Sequence, residues 1–157
     1  MNTIQIQTPF SALEIRCTDE AVVSVDFVAR LETELVPAAM TELMQRVVEQ
    51  ITAYCQSPRR MFDLPLELEG TEFQQRVWRA LQAISPGQVK TYGELARELK
   101  TSPRAVGNAC RQNPVPLIIP CHRVVAKQGI GGFGGVTQGQ VLAIKQQSLR
   151  HEGVEIG

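Results

Sequence analysis

The chain has 157 residues, 43% hydrophobic and 20% charged, enough apolar material for a packed core in one large or two small domains. No apolar run approaches the roughly 20 residues that a bilayer span needs; the opening MNTIQIQTPF has neither the basic nor the apolar region of a secretory signal; and four scattered cysteines without a CxxC pair indicate reduced thiols in a cytoplasmic setting, not a disulfide scaffold. The net charge of zero conceals a division, because residues 1–69 carry five Arg against eleven Asp and Glu, a net of −6, and residues 70–157 carry eleven Lys and Arg against five Glu, a net of +6.

Residues 3–8, 11–17 and 21–28 alternate in polarity and are rich in Val, Ile and Thr, which predicts three strands. The turn Thr18-Asp19-Glu20 makes the second and third an antiparallel pair. Pro37 is expected to open a helix. Its apolar face, Met40, Leu43, Met44, Val47, Val48, Ile51 and Tyr54, recurs at three- and four-residue spacing and runs through Gln56. Residues 57–70, interrupted by Pro58, Pro65 and Gly70, read as a linker. The acidic part, 1–69, is therefore expected to be a small structural α/β domain, with Cys17 and Cys55 as packing residues.

The basic part, 70–157, opens on Thr71-Glu72-Phe73-Gln74, a capping box, followed by the helical face Phe73, Val77, Trp78, Leu81 and Ile84 and the stop Ser85-Pro86-Gly87. A second capping box, Thr91-Tyr92-Gly93-Glu94, starts a helix that reaches Leu99. Ser102 as N-cap with Pro103 behind it starts a third, which Pro114 ends after Asn113. Two short helices joined by a short link have the form of a helix-turn-helix. On the third helix Arg104, Gly107, Asn108 and Arg111 share one face, and Val106, Ala109 and Cys110 share the other. The outward stripe has two cations and small groups, few of the long side chains that read base edges. Together with the charge of +6, this points to sequence-independent binding of nucleic acid.

The chemistry concentrates in residues 115–125, VPLIIPCHRVV. An apolar run leads into Pro120, which holds Ile119 extended and brings Cys121 to the point where the chain leaves the core. An unperturbed thiol is only about 3% thiolate at pH 7, and lowering its pKa by two units takes about 2.7 kcal/mol of preferential stabilisation of the anion. His122 can serve as base, and Glu152 can orient it as a third member. Neighbouring side chains of an extended segment point to opposite sides, so pairing Cys121 with His122 needs a local bend or a bridging water. Zinc does not fit, since no second Cys/His pair stands at ligand spacing.

The run Pro120-Cys121-His122-Arg123-Val124-Val125, with Asn113-Pro114 upstream, resembles the active-site signature of the methylated-DNA–protein-cysteine methyltransferases, the 6-O-alkylguanine-DNA alkyltransferases. Gly70-Thr71-Glu72-Phe73-Gln74, Val77-Trp78, Thr91-Tyr92-Gly93, Arg104-Ala105-Val106-Gly107 and His151-Glu152-Gly153 match in the same order, so the similarity spans 70–157, while 1–69 resembles that family's first domain in layout only. The resemblance implies an α/β (α+β) protein, with a ribonuclease H-like first domain and a winged helix-turn-helix catalytic domain. It implies repair of double-stranded DNA containing alkylated guanine, bound from the minor groove by a monomer without cofactor or membrane. The alkyl group would pass irreversibly to Cys121, once per molecule, after base flipping, and 4-O-methylthymine is a further substrate to consider. Roles follow residue by residue. His122 is the base acting through water, Glu152 its orienting carboxylate, and Asn113 the brace of the active-site turns. Tyr92 assists flipping and Arg104 fills the vacated space. Ala105, Gly107, Arg111 and Arg123 belong to the DNA and substrate surface, and the carbonyls of Cys121 and Val124 accept from the guanine amino group.

Four departures stand out. Phe133 occupies the place of a pocket tyrosine and Gly134 that of a serine; the link before Arg104 is about two residues short, and the stretch Gly135 to Lys145 is several residues long. Lys145 keeps its place seven residues before Glu152. Two other readings compete. An alkyltransferase-like protein would flag lesions without repairing them, but such proteins lack the cysteine. A cysteine hydrolase using Cys121, His122 and Glu152 would leave the helix-turn-helix and the basic charge without a purpose.

Overall fold

The computed structural model describes residues 1–31, 40–127 and 140–154. The chain divides into two compact units, Met1–Glu69 and Gly70–Gly157.

In the first unit β1 (Asn2–Gln7), β2 (Ala12–Cys17) and β3 (Val22–Val28) form an antiparallel sheet in chain order. The register places Ile4 opposite Ile15 and Ile15 opposite Val25, all three buried, and Ile6 opposite Leu13 opposite Phe27. Gln5, Glu14 and Asp26 line up on the other face, the alternation that a sheet with one wet side requires. The helix α1 (Glu42–Gln56) buries Leu43, Met44, Val47, Ile51 and Tyr54. It starts later than the proline signal indicates. Thr41 is the N-cap, its hydroxyl accepting from the Met44 amide at 3.1 Å, and Met40 lies before the cap, exposed, so it is not part of the buried face. Pro37 lies outside the described residues.

The supposed linker is tied down. The Val22 amide donates to the Pro65 carbonyl at 2.8 Å and the Glu67 amide to the Val22 carbonyl at 3.0 Å, so Leu66 runs parallel to β3 as a bridge. Arg46 and Gln50 of α1 hold the Asp63 backbone, and Phe62 meets the Tyr54 ring at 5.4 Å between centroids. Two prolines did not free this segment, because its remaining amides found partners.

The second unit is helical. Its helices are α2 (Glu72–Gln82), α3 (Tyr92–Leu99), α4 (Pro103–Arg111) and α5 (Gln140–His151). The parallel pair β4 (Lys90–Thr91) and β5 (Val124–Val125) joins the start of α3 to the reactive segment. Both capping boxes form: Thr71 and Gln74 exchange hydrogen bonds at 2.9 and 3.1 Å, and Thr91 and Glu94 at 3.2 and 3.0 Å. Ser102 caps α4 through the Ala105 amide. α4 ends at Arg111, with Gln112 as its C-cap, so Asn113 falls in the following turn and its side chain is free to serve there. Trp78 is buried and its indole N–H donates to the Ala109 carbonyl at 2.9 Å, fastening α2 to α4. Among the described residues no helix is long and apolar enough to cross a membrane.

Candidate active site

The reactive segment is built from two overlapping turns. The Asn113 carboxamide oxygen accepts from the Val115 amide at 3.0 Å and its nitrogen donates to the Ile119 carbonyl at 2.9 Å, while the Ile119 amide bonds the Val115 carbonyl. Between them Leu117 is buried at φ +76°, a left-handed conformation that a branched side chain adopts only where its surroundings enforce it. Pro120 then turns the chain into a single 3-10 turn, Cys121–Arg123. The bend that an extended reading lacked is therefore supplied by the backbone, and adjacent side chains no longer alternate across a sheet plane.

His122 and Glu152, thirty residues apart in the chain, meet inside the unit: Nε2 lies 2.7 Å from Oε2, with both side chains essentially inaccessible. Arg123 closes the same carboxylate from the other side, Nε to Oε1 at 2.8 Å and Nη2 to Oε2 at 3.0 Å, and its Nη1 donates to the Ile84 carbonyl at 2.7 Å. The Gly87 amide adds a bond to Oε1 at 3.3 Å. Burial raises the Glu152 pKa, but the hydrogen bonds from His122 and Arg123 and the guanidinium charge outweigh it and hold the carboxyl well below its usual range. An ionised carboxylate only accepts, so Nε2 of His122 carries a proton. Burial also lowers the His122 pKa, which keeps the ring neutral and leaves a lone pair on Nδ1. Among the described residues Nδ1 is the buried side-chain nitrogen or oxygen left without a hydrogen-bond partner.

Arg123 is therefore not part of a DNA surface. It is 4% exposed and its guanidinium is spent on Glu152 and Ile84. The family resemblance assigns it to the DNA and substrate surface; in the 3-10 turn its guanidinium instead reaches inward to Glu152 and Ile84.

Cys121 is 6% exposed. Burial pushes its pKa up, and the Asn113 side chain and the Lys145 charge pull it down without overcoming burial. Burial thus favours the protonated thiol, which calls for a base to take its proton as the reaction begins, the role that the sequence offers His122. Lys145 was marked only by its spacing, yet it is fully buried, with Nζ donating to the Val124 carbonyl at 2.7 Å and lying 5.8 Å from the centroid of the Tyr92 ring. The Cys121 carbonyl accepts from the Val124 amide.

Other predicted residues lie along the helix-turn-helix. Arg104, Asn108 and Arg111 are exposed on α4, with Ala105 and Gly107 partly so, and Val106, Ala109 and Cys110 face the core. A methyl group on Gly107 would meet nothing within 4 Å. A cavity of about 660 Å³ is lined by Tyr92, Gly93, Arg97, Pro103, Ala126 and Lys127 among others, between the start of α3 and the end of β5. Phe133 and Gly134 lie outside the described residues, as does the first part of the long 135–145 stretch. Among the described residues no group of three or more His, Cys, Asp or Glu is placed to hold a metal ion.

A helix-turn-helix joined to a braced Cys-His turn defines a class. Residues 72–154 match the family described as 6-O-methylguanine DNA methyltransferase, DNA binding domain. A methylated-DNA–protein-cysteine methyltransferase of Sulfolobus acidocaldarius is 36% identical over 150 residues, covering 95% of this chain and 91% of that protein. One of the same name from Mycolicibacterium paratuberculosis is 46% identical over 91 residues, 56% of this chain and 55% of that protein. The crystal structure of Mycobacterium tuberculosis OGT in complex with DNA is similar over 98% of this chain and 93% of that one, with a TM-score of 0.81 and 30% identity. The chain belongs to the methylated-DNA–protein-cysteine methyltransferase family, a family of DNA-repair alkyltransferases, and shares its two-domain α/β architecture.

Proposed function

We propose that this protein binds alkylated double-stranded DNA through residues 70–157, everts the damaged guanine, and takes the alkyl group from its 6-oxygen onto Cys121 in a single irreversible transfer. The observation that carries this is the unpartnered Nδ1 of His122, held as a lone pair by the Nε2–Glu152 bond one residue from a buried thiol. The thiol proton passes to Nδ1, through water; the imidazolium that forms is stabilised by the Glu152 carboxylate. Sulfur attacks the alkyl carbon, the carbon–oxygen bond breaks, and its electron pair returns to the guanine, which takes the proton. The product is a thioether and an intact guanine. A thioether is a poor leaving group, so no step restores the thiol and each molecule acts once.

The DNA surface in this reading is the exposed stripe Arg104, Asn108 and Arg111, with Ala105 and Gly107 admitting close backbone approach in the minor groove. Arg104 takes the space of the everted base, at an unstacking cost of about a few kcal/mol, and Tyr92, at the mouth of the second unit's cavity, faces the base. Cys121 and Val124 carbonyls each keep a second lone pair for the guanine amino group. The test is Cys121→Ala assayed with a duplex carrying a labelled methyl on guanine. The variant is expected to bind the duplex as wild type does and to acquire no label. Label retained by the variant, or wild type that binds the lesion and never acquires label, as a damage-flagging protein would, contradicts the reading.

A further inference from the structure

The stop that follows α2, Ser85-Pro86-Gly87, also reaches the active-site carboxylate. The Gln88 amide donates to the Ser85 carbonyl at 3.1 Å, and Gly87 stands at φ +85°. Proline in the second place and a left-handed glycine in the third make this a type II turn. Compared with type I, such a turn rotates its central peptide by about half a revolution. The N–H of that peptide is the Gly87 amide, which donates to Oε1 of Glu152 at 3.3 Å. Just ahead of the turn, the Ile84 carbonyl accepts from Nη1 of Arg123 at 2.7 Å. One short segment thus holds both members of the buried ion pair, the cation by a carbonyl and the anion by an amide.

Glu152 stands where a carboxylate needs such support. It directly follows α5, whose end is closed by Gly153 at φ +85°, with the Gly153 amide donating to the Arg150 carbonyl and the Val154 amide to the Leu149 carbonyl. This Schellman motif fixes the Glu152 backbone. A helix C-terminus carries partial negative charge and repels an anion. The side chain is held against that repulsion by its donors, Arg123 Nε and the Gly87 amide on Oε1, and His122 Nε2 and Arg123 Nη2 on Oε2. His122 and Arg123 both belong to the reactive turn, so the Gly87 amide braces the carboxylate from a separate segment. The approach is close: a Cβ on Gly87 would lie 3.1 Å from the Glu152 carbonyl oxygen.

We propose that Gly87 is a positioning residue for the proton transfer: its amide, through Oε1, holds the Glu152 carboxylate in the orientation that keeps the His122 proton on Nε2 and the lone pair on Nδ1. This rests on reading His122 as the base of the repair reaction. Without that donor the carboxylate is free to turn about its Cγ–Cδ bond against the guanidinium. Oε2 then leaves Nε2, and the imidazole loses the bond that selects its tautomer. The left-handed glycine is what aims the amide, because a type I turn at the same place would point it away.

The test compares Gly87→Ala with Gly87→Asn. Both add a Cβ, but alanine resists φ +85° and drives the turn towards type I, whereas asparagine tolerates the left-handed region and keeps type II. The His122 tautomer is read without DNA from the imidazole ¹⁵N shifts, and methyl uptake from a duplex containing 6-O-methylguanine is read in single-turnover kinetics. Wild type is expected to show one tautomer, with the proton on Nε2. Gly87→Ala is expected to show a mixture and to transfer methyl about tenfold more slowly, with duplex affinity unchanged, and Gly87→Asn to recover most of both. A folded Gly87→Ala protein with the wild-type tautomer overturns the proposal whatever its rate. A Gly87→Asn protein no better than Gly87→Ala assigns the effect to the added Cβ and overturns it as well. Should Gly87→Ala not fold, glycolic acid in place of Gly87 removes the N–H alone, and the same outcomes decide. Wild type that shows the expected tautomer and takes up no methyl touches only the repair reading.

Discussion

The carboxylate of Glu152 has four donors on two oxygens, and this crowding decides what the histidine can do. Glu152→Gln keeps the shape and removes the charge. It leaves Arg123 buried without a counter-ion, which is expected to destabilise the protein by about 3–5 kcal/mol at pH 7, measured by denaturant unfolding. The dependence on pH follows from the sign of the shift. Glu152 binds its proton more weakly folded than unfolded, so its stabilisation is complete above the ordinary carboxylate range and is lost progressively as pH falls from that range towards its lower folded value. The gap between wild type and Glu152→Gln should therefore shrink in acid; a gap constant from pH 7 to pH 3 would contradict the assignment. His122→Asn removes the base and is expected to slow methyl transfer by about 10²–10⁴-fold, read in single-turnover kinetics, with duplex binding retained.

At the scale of the element, two glycines make opposite predictions. A Cβ on Gly70 would lie 2.6 and 2.7 Å from two carbons of the Trp78 ring, and that ring is buried and pinned by its bond to Ala109. Gly70→Ala is expected to cost about 1–3 kcal/mol through forced displacement. Gly107 sits in the interior of α4 with open space around it. Gly107→Ala should stabilise the fold by about 0.5–1 kcal/mol from helix propensity and, under the proposed docking, weaken duplex binding, because the added methyl stands on the face that meets DNA. Thermal unfolding and duplex affinity moving in the same direction would refute that placement of α4.

Elements were legible where their signals are local. Thr71 with Gln74, Thr91 with Glu94, and Ser102 with Pro103 mark helix starts because both halves of each cap lie within one turn. What the pattern missed is held by partners far along the chain. Arg123 reaches Glu152 across 29 residues and Lys145 reaches Val124 across 21, and nothing in either neighbourhood says that a cation will be buried there. The 57–70 segment looked like a linker for the same reason, since its pairing partner is Val22.

Over the whole molecule the division of charge gains a physical use. The cations of residues 70–157 that stay exposed, Arg97, Lys100, Arg104, Arg111 and Lys127 among them, lie on or beside the helix-turn-helix and its adjoining cavity, while Arg123 and Lys145 are consumed inside. Removing Arg104 or Arg111 as alanine is expected to weaken binding uniformly across DNA sequences and to reduce the salt dependence by about 1 per cation. The central claim, a thiol that accepts one alkyl group from DNA and is never regenerated, is tested most directly by the intact mass of the protein after exposure to excess duplex containing 6-O-methylguanine. The expected result is a gain of one methyl equivalent per chain, located on the Cys121 peptide and unchanged by further substrate. An unaltered mass while the methylated base disappears catalytically, or a methyl group on any other residue, would contradict it.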